Sequence, residues 1–250
     1  MWEQLSRCQE MMWQEAIDTI RRPGKWWERR SYKYVSVFDD EVQQFYGPRR
    51  RLFFDELYQQ VNRQALAPFF RPWLRRKGRI LEAGSGSGHL AGELGLRNAY
   101  FLDLTWEQIK RFQDQGTPGC YIHGDLQQLP FSDNTFDQVI CSNVLHYTGL
   151  AGLKELLRVT KPDGQMLVSF LEGSGFTRAA TLLAVSWSLF PPLMRDARFI
   201  DLADLAQLNT QVEDSATVIF LPPLFHARRQ LPRCGLVAFA LKKGRTANTP

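Results

Sequence analysis

Cysteine is scarce in this sequence, and its few copies form no recognisable motif. Cys8, Cys120, Cys141 and Cys234 are scattered over 250 residues, and no two of them stand in a Cys-x-x-Cys pair. Structural zinc sites and disulfide frameworks use closely or regularly spaced cysteines. The pattern therefore argues against a metal site or a disulfide scaffold, and it indicates reduced thiols in a cytosolic protein.

Long apolar runs are also missing. A membrane-spanning helix needs roughly eighteen or more apolar residues in a row. The nearest approach, Ala179–Met194, contains too many small polar residues. The N-terminal Met1-Trp2-Glu3-Gln4 carries an acid and leads into no uninterrupted apolar core, which argues against a cleaved signal peptide. We therefore expect a cytoplasmic protein whose contact with any membrane would be peripheral.

Positive charge is in excess only in the first third of the chain. Residues 1–78 hold 15 Lys and Arg against 10 Asp and Glu, whereas residues 79–250 hold 16 of each. Five of the 7 tryptophans also lie in residues 1–78. This change in composition predicts a helical, basic, Trp-rich extension over residues 1–77 that caps a domain over residues 78–243, followed by a flexible tail at 244–250.

A glycine loop directly follows a short apolar strand. The stretch Arg79-Ile80-Leu81-Glu82-Ala83-Gly84-Ser85-Gly86-Ser87-Gly88 passes from branched residues through an acid into three glycines spaced two apart. Glycines let the backbone turn sharply and approach a ligand where a β-carbon would collide. The next helix would present unpaired N–H groups toward that ligand.

The glycine spacing separates two kinds of ligand. A dinucleotide site needs Gly-x-Gly-x-x-Gly, but this chain has Gly-x-Gly-x-Gly with Glu82 two residues ahead. A carboxylate at that position would repel a pyrophosphate and suits an ammonium group or a hydrogen-bond donor. The loop therefore favours a cationic nucleoside over a dinucleotide. The alternative is a glycine-rich turn that binds nothing.

Strands and helices alternate after Gly78 at the spacing of a doubly wound sheet. Thr105 is expected to cap the second helix, and Pro162 with Gly164 is expected to end the helix before the fifth strand. Predicted strands are 79–83, 99–103, 120–123, 137–142, 165–170, 216–221 and 236–241, the last two as an antiparallel pair, and predicted helices are 88–94, 105–113, 150–160 and 201–208.

Two further acids fall at the ends of predicted strands. Asp103 ends the second strand beside the glycine loop, where a carboxylate can accept hydrogen bonds from both hydroxyls of a ribose. The alternative is an ordinary helix-capping aspartate. After the third strand come His123-Gly124-Asp125-Leu126, then Leu129-Pro130-Phe131 and Asn134-Thr135-Phe136-Asp137.

Together these motifs resemble the class I S-adenosylmethionine (SAM)-dependent methyltransferases. The acid and glycine loop is similar to their motif I, and the Leu-Pro-Phe run with the helix and turn from Leu153 to Gly164 resembles the ubiquinone and menaquinone C-methyltransferase-like (type 11) group. The resemblance covers residues 78–170. It implies a Rossmann-like, seven-stranded α/β sheet with helices on both faces, and SAM as the cofactor with S-adenosylhomocysteine (SAH) as its product.

The resemblance also implies roles for individual residues. Asp125 would accept a hydrogen bond from the adenine amino group, and the backbone N–H of Leu126 would meet a ring nitrogen. Tyr46 would cover the methionine arm, with Tyr34 as a weaker candidate. The implied cofactor-binding residues are Tyr46, Glu82, Ala83, Gly84, Ser85, Gly86, Gly88, Asp103, Leu104, Asp125, Leu126, Ser142 and Asn143.

A catalytic base is needed only if the methyl acceptor must lose a proton. His146, which follows the fourth strand, is the candidate, and the alternative is that it shapes the cofactor pocket. His123 is expected near the adenine, and His226 has no predicted place. The fourth strand lacks the Asp/Asn-Pro-Pro-Tyr/Phe motif that amino-methylating enzymes use on adenine, cytosine or glutamine, which disfavours those acceptors.

The flanks of the domain are expected to select the acceptor. A segment at about 174–198 has almost no charge after Arg178, which is typical of a lid over an apolar substrate or of a helix buried on the core. We therefore expect a small, largely apolar acceptor such as a quinone precursor, a lipid or a specialised metabolite.

The basic extension over residues 1–77 is consistent with other partners and other functions. Clusters such as Arg49-Arg50-Arg51 and Arg75-Arg76-Lys77, with Trp26-Trp27, would suit an anionic membrane surface, RNA or plain solvent. An RNA or protein methyltransferase that docks through the extension is one alternative. A non-catalytic binding or scaffold module on the same fold is another.

Overall fold

A computed structural model describes residues 59–75, 77–186, 197–221, 224–229 and 235–244. Eight strands form a single sheet. They are β1 (Ile80–Ala83), β2 (Ala99–Asp103), β3 (Gly119–His123), β4 (Phe136–Cys141), β5 (Thr160–Leu171), β6 (Thr210–Leu221), β7 (Leu224–Arg228) and β8 (Leu236–Lys243).

Helices connect these strands and precede them. Before β1, a π-helical turn (Asn62–Leu66), the short helix α1 (Ala67–Phe70) and a 3₁₀ turn (Arg71–Trp73) follow one another without a break. The remaining helices are α2 (His89–Leu94), α3 (Trp106–Asp114), α4 (Leu145–Val159), α5 (Gly175–Ser186) and α6 (Leu202–Gln207).

The strand order in the sheet is β3-β2-β1-β4-β5-β8-β6-β7. Pairings among β1 to β5 are parallel, while β8 runs antiparallel between β5 and β6. Apolar clusters cover both faces. One contains residues of α1, α2 and α3, and the other contains residues of α4 and α6. This arrangement confirms the predicted α/β sheet with helices on both faces.

All seven predicted strands are present, and β7 is an eighth. It pairs antiparallel with β6 at the edge of the sheet. Pro222 and Pro223 stand between the two strands in the sequence. Because proline normally interrupts a sheet, a strand directly after them could not be predicted.

Two predicted boundaries near the fourth and fifth strands were wrong. Helix α4 begins at Leu145 instead of Leu150, because a short helical turn precedes Gly149, whose φ of 61° and ψ of −147° interrupt the helix. Strand β5 begins at Thr160 instead of Gln165, because the predicted turn is built into the strand as an irregularity between its pairings with Phe136 and Gln138.

The helical segment before β1 is part of the domain core. It runs from the π-helical turn through α1 to Trp73. Val61, Leu66 and Phe70 are fully buried in the same apolar cluster as α2 and strands β6 and β8. Pro68 does not interrupt this segment, because it lies in the first turn of α1, where no backbone N–H is required.

Arg158 on α4 holds the Leu-Pro-Phe turn in place. Its guanidinium donates to the carbonyls of Leu129 and Phe131 at 3.0 and 2.8 Å and pairs with Asp133 at 2.8 Å. Glu155 accepts from the Leu129 N–H at 2.9 Å and pairs with Arg158. Hydrogen bonding to Arg158 lowers the pKa of Glu155. The helix and turn motif therefore fixes the loop that follows Asp125.

Several predictions fall on residues outside the described ranges. They concern Tyr34, Tyr46, Cys8, Cys234, the side chain of His226, the Arg49–Arg51 cluster, the later part of the predicted lid and the tail after residue 244. Within the described ranges, no helix combines the length and apolar character needed to cross a membrane.

Candidate functional site

The glycine loop joins β1 to α2 at the carboxyl edge of the parallel strands. The backbone N–H groups of Gly84 and Ser85 both donate to the carbonyl of Leu102, at 2.7 and 3.0 Å. The loop is thereby tied to the end of β2. Parallel sheets bind ligands at this edge.

Two of the glycines meet opposite surroundings. Gly84 has a φ of +73°, and a β-carbon there would collide with the side chain of Val144, which follows β4. Gly86 has a φ of +53°, but a β-carbon there would meet nothing within 4 Å. The first glycine therefore permits close packing between two loops. The second borders open space in which a ligand can lie.

Asp103 organises this loop with both carboxylate oxygens. Oδ2 accepts from the Gly86 N–H at 2.8 Å, and Oδ1 accepts from the Thr105 N–H at 2.9 Å. Burial raises the pKa of Asp103, while these N–H groups act in the opposite direction. Thr105 is the N-cap residue of α3 as predicted, but its side chain makes no capping hydrogen bond, and its backbone N–H donates to Asp103.

Glu82 lies one strand away from Asp103 and is almost fully buried, at 3% exposure. Its Oε2 has no hydrogen-bond partner among the described residues. Burial and the charge of Asp103 raise the pKa of Glu82 to about 8. Ala83, the next residue, is also buried and ends β1.

Unsatisfied buried polar atoms are rare in folded proteins. Besides Glu82 Oε2, the Ser85 hydroxyl and both ring nitrogens of His146 are buried without a hydrogen-bond partner in the described chain. Glu82 and Ser85 flank the loop that opens onto free space at Gly86. A polar, cationic ligand beside Gly86 would supply partners that the chain itself does not, so these residues fit such a group.

The loop after β3 lies next to Asp103. The Gly124 N–H donates to the Asp103 carbonyl at 2.9 Å, and the Asp125 carboxylate accepts from the Gln127 N–H at 2.8 Å. Leu126 is buried at 4% exposure. His123 at the end of β3 contacts the Leu104 carbonyl through Nε2 at 2.8 Å. The structure thus brings the predicted adenine-binding residues to the same edge as the glycine loop.

The loop after β4 is held by a serine that the sequence did not point out. Ser169 on β5 is fully buried, and its Oγ lies 3.1 Å from the Ser142 Oγ and accepts from the Asn143 N–H at 3.0 Å. Asn143 adopts a φ of +57°. A single serine inside an apolar strand carries no motif, which is why its contact with the loop could not be predicted.

His146 lies in the first turn of α4 and is 4% exposed. Its ring centroid lies 4.0 Å from that of Tyr147. Burial lowers the pKa of His146 to about 4. The imidazole is therefore neutral near pH 7, with ring nitrogens that can accept a proton.

Arg198 closes the outer side of this turn. Its backbone N–H donates to the His146 carbonyl at 2.7 Å, and its side chain packs on Gly149. Its guanidinium reaches the Thr148 carbonyl at 3.4 Å. Arg198 lies after the methyltransferase-like motifs, which end at residue 170, so its contact with His146 could not be predicted from them.

The start of the predicted lid is helix α5. The Thr177 hydroxyl accepts from the Gly235 N–H at 2.7 Å, and Arg178 pairs with Asp201 at 3.5 Å. Phe176 in the first turn is 72% exposed. The described part of the helix is thus attached at its base and presents an aromatic ring to solvent.

A cavity of about 520 Å³ lies at the other, amino edge of the sheet. Its charged lining residues bond to one another, as in the 2.8 Å contact of Lys161 with Asp137 and the 3.6 Å contact of Lys242 with Asp163. The bond from Lys161 lowers the pKa of Asp137. This cavity is far from the glycine loop, and its charges balance internally.

The sheet, the glycine loop and the two acids at its carboxyl edge define an α/β domain that binds a nucleoside. A family model described as a methyltransferase domain matches residues 81–168. A malonyl-[acyl-carrier protein] O-methyltransferase of Erwinia billingiae is 32% identical over 181 residues, which cover 68% of this chain and 69% of that protein. The chain therefore belongs to the class I SAM-dependent methyltransferases.

Other relatives agree with this family. A demethylmenaquinone methyltransferase of Corynebacterium glutamicum is 29% identical over 146 residues, which cover 57% of this chain and 61% of that protein. The chain spans between 38% and 69% of the length of such relatives. The magnesium protoporphyrin IX methyltransferase of Synechocystis with bound SAH shares the fold, with a TM-score of 0.57, 17% identity and coverage of 84% and 96%.

Proposed function

We propose that this protein transfers a methyl group from SAM to a small, largely apolar acceptor. The observation that carries the proposal is the position of the Asp103 carboxylate. It accepts from the Gly86 N–H at 2.8 Å, beside the open space that the glycine loop borders. An acid in this position offers remaining lone pairs to ribose hydroxyls.

Each part of the site would hold one part of the cofactor. Asp103 and Gly86 would bind the ribose, Asp125 and Leu126 the adenine, and Glu82 with Ser85 the methionine arm. Gly84, Gly88, Leu104, Ser142 and Asn143 would shape the surrounding backbone. When bound, SAM would supply a methyl group on its sulfonium. An acceptor atom can attack this methyl group in line, and SAH leaves.

The chain's own residues would hold the cofactor and the acceptor in position. Val144 packs on Gly84, and Ser169 fixes Ser142 and Asn143, so the loops on either side of the site hold each other. Holding two reactants at contact distance and in line provides much of the rate of such displacements. The protein needs no covalent intermediate.

We also propose that His146 takes a proton from the acceptor. Replacing it with glutamine (His146→Gln) should lower the methylation rate about 100-fold at pH 7.5, because general-base catalysis contributes at least this much. SAH affinity should stay within about threefold, since the displacement itself does not use the imidazole. Single-turnover rates and calorimetry measure the two quantities. An unchanged rate would show that His146 only shapes the pocket.

Several features favour a small acceptor over a polymer. One relative is named for malonyl-[acyl-carrier protein] and another for demethylmenaquinone, and both names describe small organic acceptor groups. Phe176 exposes an apolar ring at the base of α5, and the sequence from Ala179 to Met194 carries no charge. A largely apolar helix with an exposed aromatic ring could cover a hydrophobic substrate.

The proposal predicts where radioactive label will go. The full chain, incubated with methyl-tritiated SAM, should label a demethylated quinol, the malonyl thioester of a small thiol or a fatty acid, and leave total RNA and protein unlabelled. Organic extraction separates these classes, and Asp103→Ala serves as the inactive control. Label in acid-insoluble RNA or protein would contradict a small acceptor and favour docking of a polymer through the basic extension.

A further inference from the structure

Two buried carboxyl groups lie on the neighbouring strands β1 and β2 at this site. Glu82 on β1 and Asp103 on β2 act on one another electrostatically. Among the residues that the structure describes, neither forms an ion pair with Lys, Arg or His. Cys141 on β4 is the other titratable group near the pair, and burial together with both carboxylates keeps its thiol protonated by raising its pKa.

Two buried like charges cannot both persist without compensation. At close range in a protein interior they repel by several kcal/mol, so such pairs hold a proton between them. In this site the ligand-free protein can therefore not keep both groups ionised near neutral pH. One of them carries the proton.

The hydrogen bonds decide which one it is. Asp103 accepts N–H groups of Gly86 and Thr105, at 2.8 and 2.9 Å, and N–H donors stabilise the ionised form of a carboxyl. Glu82 Oε2 is buried and has no hydrogen-bond partner in the described chain. Asp103 is thus equipped to be the anion, and Glu82 is the group that holds the proton.

We propose that Glu82 is protonated in the ligand-free site and releases its proton when the ammonium of the cofactor's methionine arm binds, so that cofactor binding exchanges a proton for an ammonium. The neutral Glu82 becomes a carboxylate paired with the ammonium, and the proton goes to solvent. The released proton offsets the positive charge of the arriving ammonium. The proposal rests on the assignment of this site to SAM.

At each pH, calorimetry in two buffers that titrate near that pH and differ in ionisation enthalpy counts the protons released. At pH 6.5, SAH should release close to one proton, because a group with a pKa near 8 is then almost fully protonated. 5′-Methylthioadenosine, which shares the adenosine but lacks the amino-acid arm, should release close to none. At pH 9 the release on binding SAH should fall to a small fraction of one.

The variant Glu82→Gln identifies the source of the proton. It should abolish the proton release on binding SAH and leave the affinity for 5′-methylthioadenosine within about threefold. Equal release by the two ligands, or full release by Glu82→Gln, would overturn the proposal and place the proton elsewhere. Absence of heat from both ligands with the unaltered protein would instead overturn the cofactor assignment on which the proposal stands.

Unfolding of the ligand-free protein gives a second measurement. The pKa of Glu82 is higher in the folded chain, at about 8, than the 4.5 of an unperturbed side chain. An acid with a raised pKa contributes fully at low pH, and its contribution is lost as pH rises from about 5 to about 8. The melting temperature should therefore fall over this window, and fall less in Glu82→Gln. Identical pH profiles would contradict a protonated Glu82.

Discussion

Replacing Asp103 with alanine will weaken SAH binding about 100-fold or more. In the proposed site the change removes a charged acceptor for two ribose hydroxyls, and each charge-assisted hydrogen bond contributes about 1.5–3 kcal/mol, where 1.4 kcal/mol is a tenfold change in affinity. It also frees the Gly86 N–H, which Asp103 holds at 2.8 Å. Isothermal calorimetry with the full chain measures the effect.

A matched variant separates this effect from a change in net charge. Asp114 lies exposed at the end of α3, so Asp114→Ala removes the same charge at the protein surface. SAH affinity should stay within about twofold of the unaltered protein. An Asp103→Ala variant that is folded and binds SAH as tightly as Asp114→Ala would rule out a ribose-binding role for Asp103.

The variant Gly86→Val should eliminate measurable cofactor binding without unfolding the protein. A valine there would place its branched side chain in the open space that the loop borders, where no protein atom lies within 4 Å of a β-carbon. The backbone φ of +53° adds strain of about 1–2 kcal/mol for a β-branched residue. We expect a loss of affinity above about 100-fold, measured by calorimetry, with a modest decrease in melting temperature.

Gly116→Val supplies the control for backbone strain. Gly116 also has a positive φ, +71°, and free space around a β-carbon, but it precedes β3 at the amino edge of the sheet. The two variants should lose similar stability, and only Gly86→Val should lose SAH. Equal binding by the two variants would mean that the cofactor does not occupy the space beside Gly86.

The sequence predicted that the glycine loop and its acids meet at one edge of the sheet, because that placement depends on local structure. The glycine loop follows Glu82 on β1, and Asp103 ends the next strand, β2. The turn that each glycine permits is a property of its own backbone. Strand ends in a parallel sheet meet at one edge, so an acid at each end could be placed without coordinates. The strand order confirms that β1, β2 and β4 are neighbours.

The rest of the site depends on contacts between distant parts of the chain. Ser169 on β5 reaches Asn143 in the loop after the neighbouring strand β4, and Arg198 reaches His146 from the end of the predicted lid segment. Neither residue repeats a spacing or carries a local signal. The earlier start of α4 was hidden for a related reason, because Gly149 breaks the helical geometry while the chain continues as a helix on both sides.

The position of β8 constrains the order in which the domain can be assembled. Strand β8 lies between β5 and β6, although it comes after both in the chain. The β6–β7 hairpin therefore has no place in the sheet until residues 236–243 have left the ribosome. Lys243 at the end of β8 then donates to the carbonyls of Leu157 and Thr160, at 2.8 and 2.6 Å. During synthesis, the strands that carry Glu82 and Asp103 can pair first with β4, which precedes His146, and closure of the sheet is the final step.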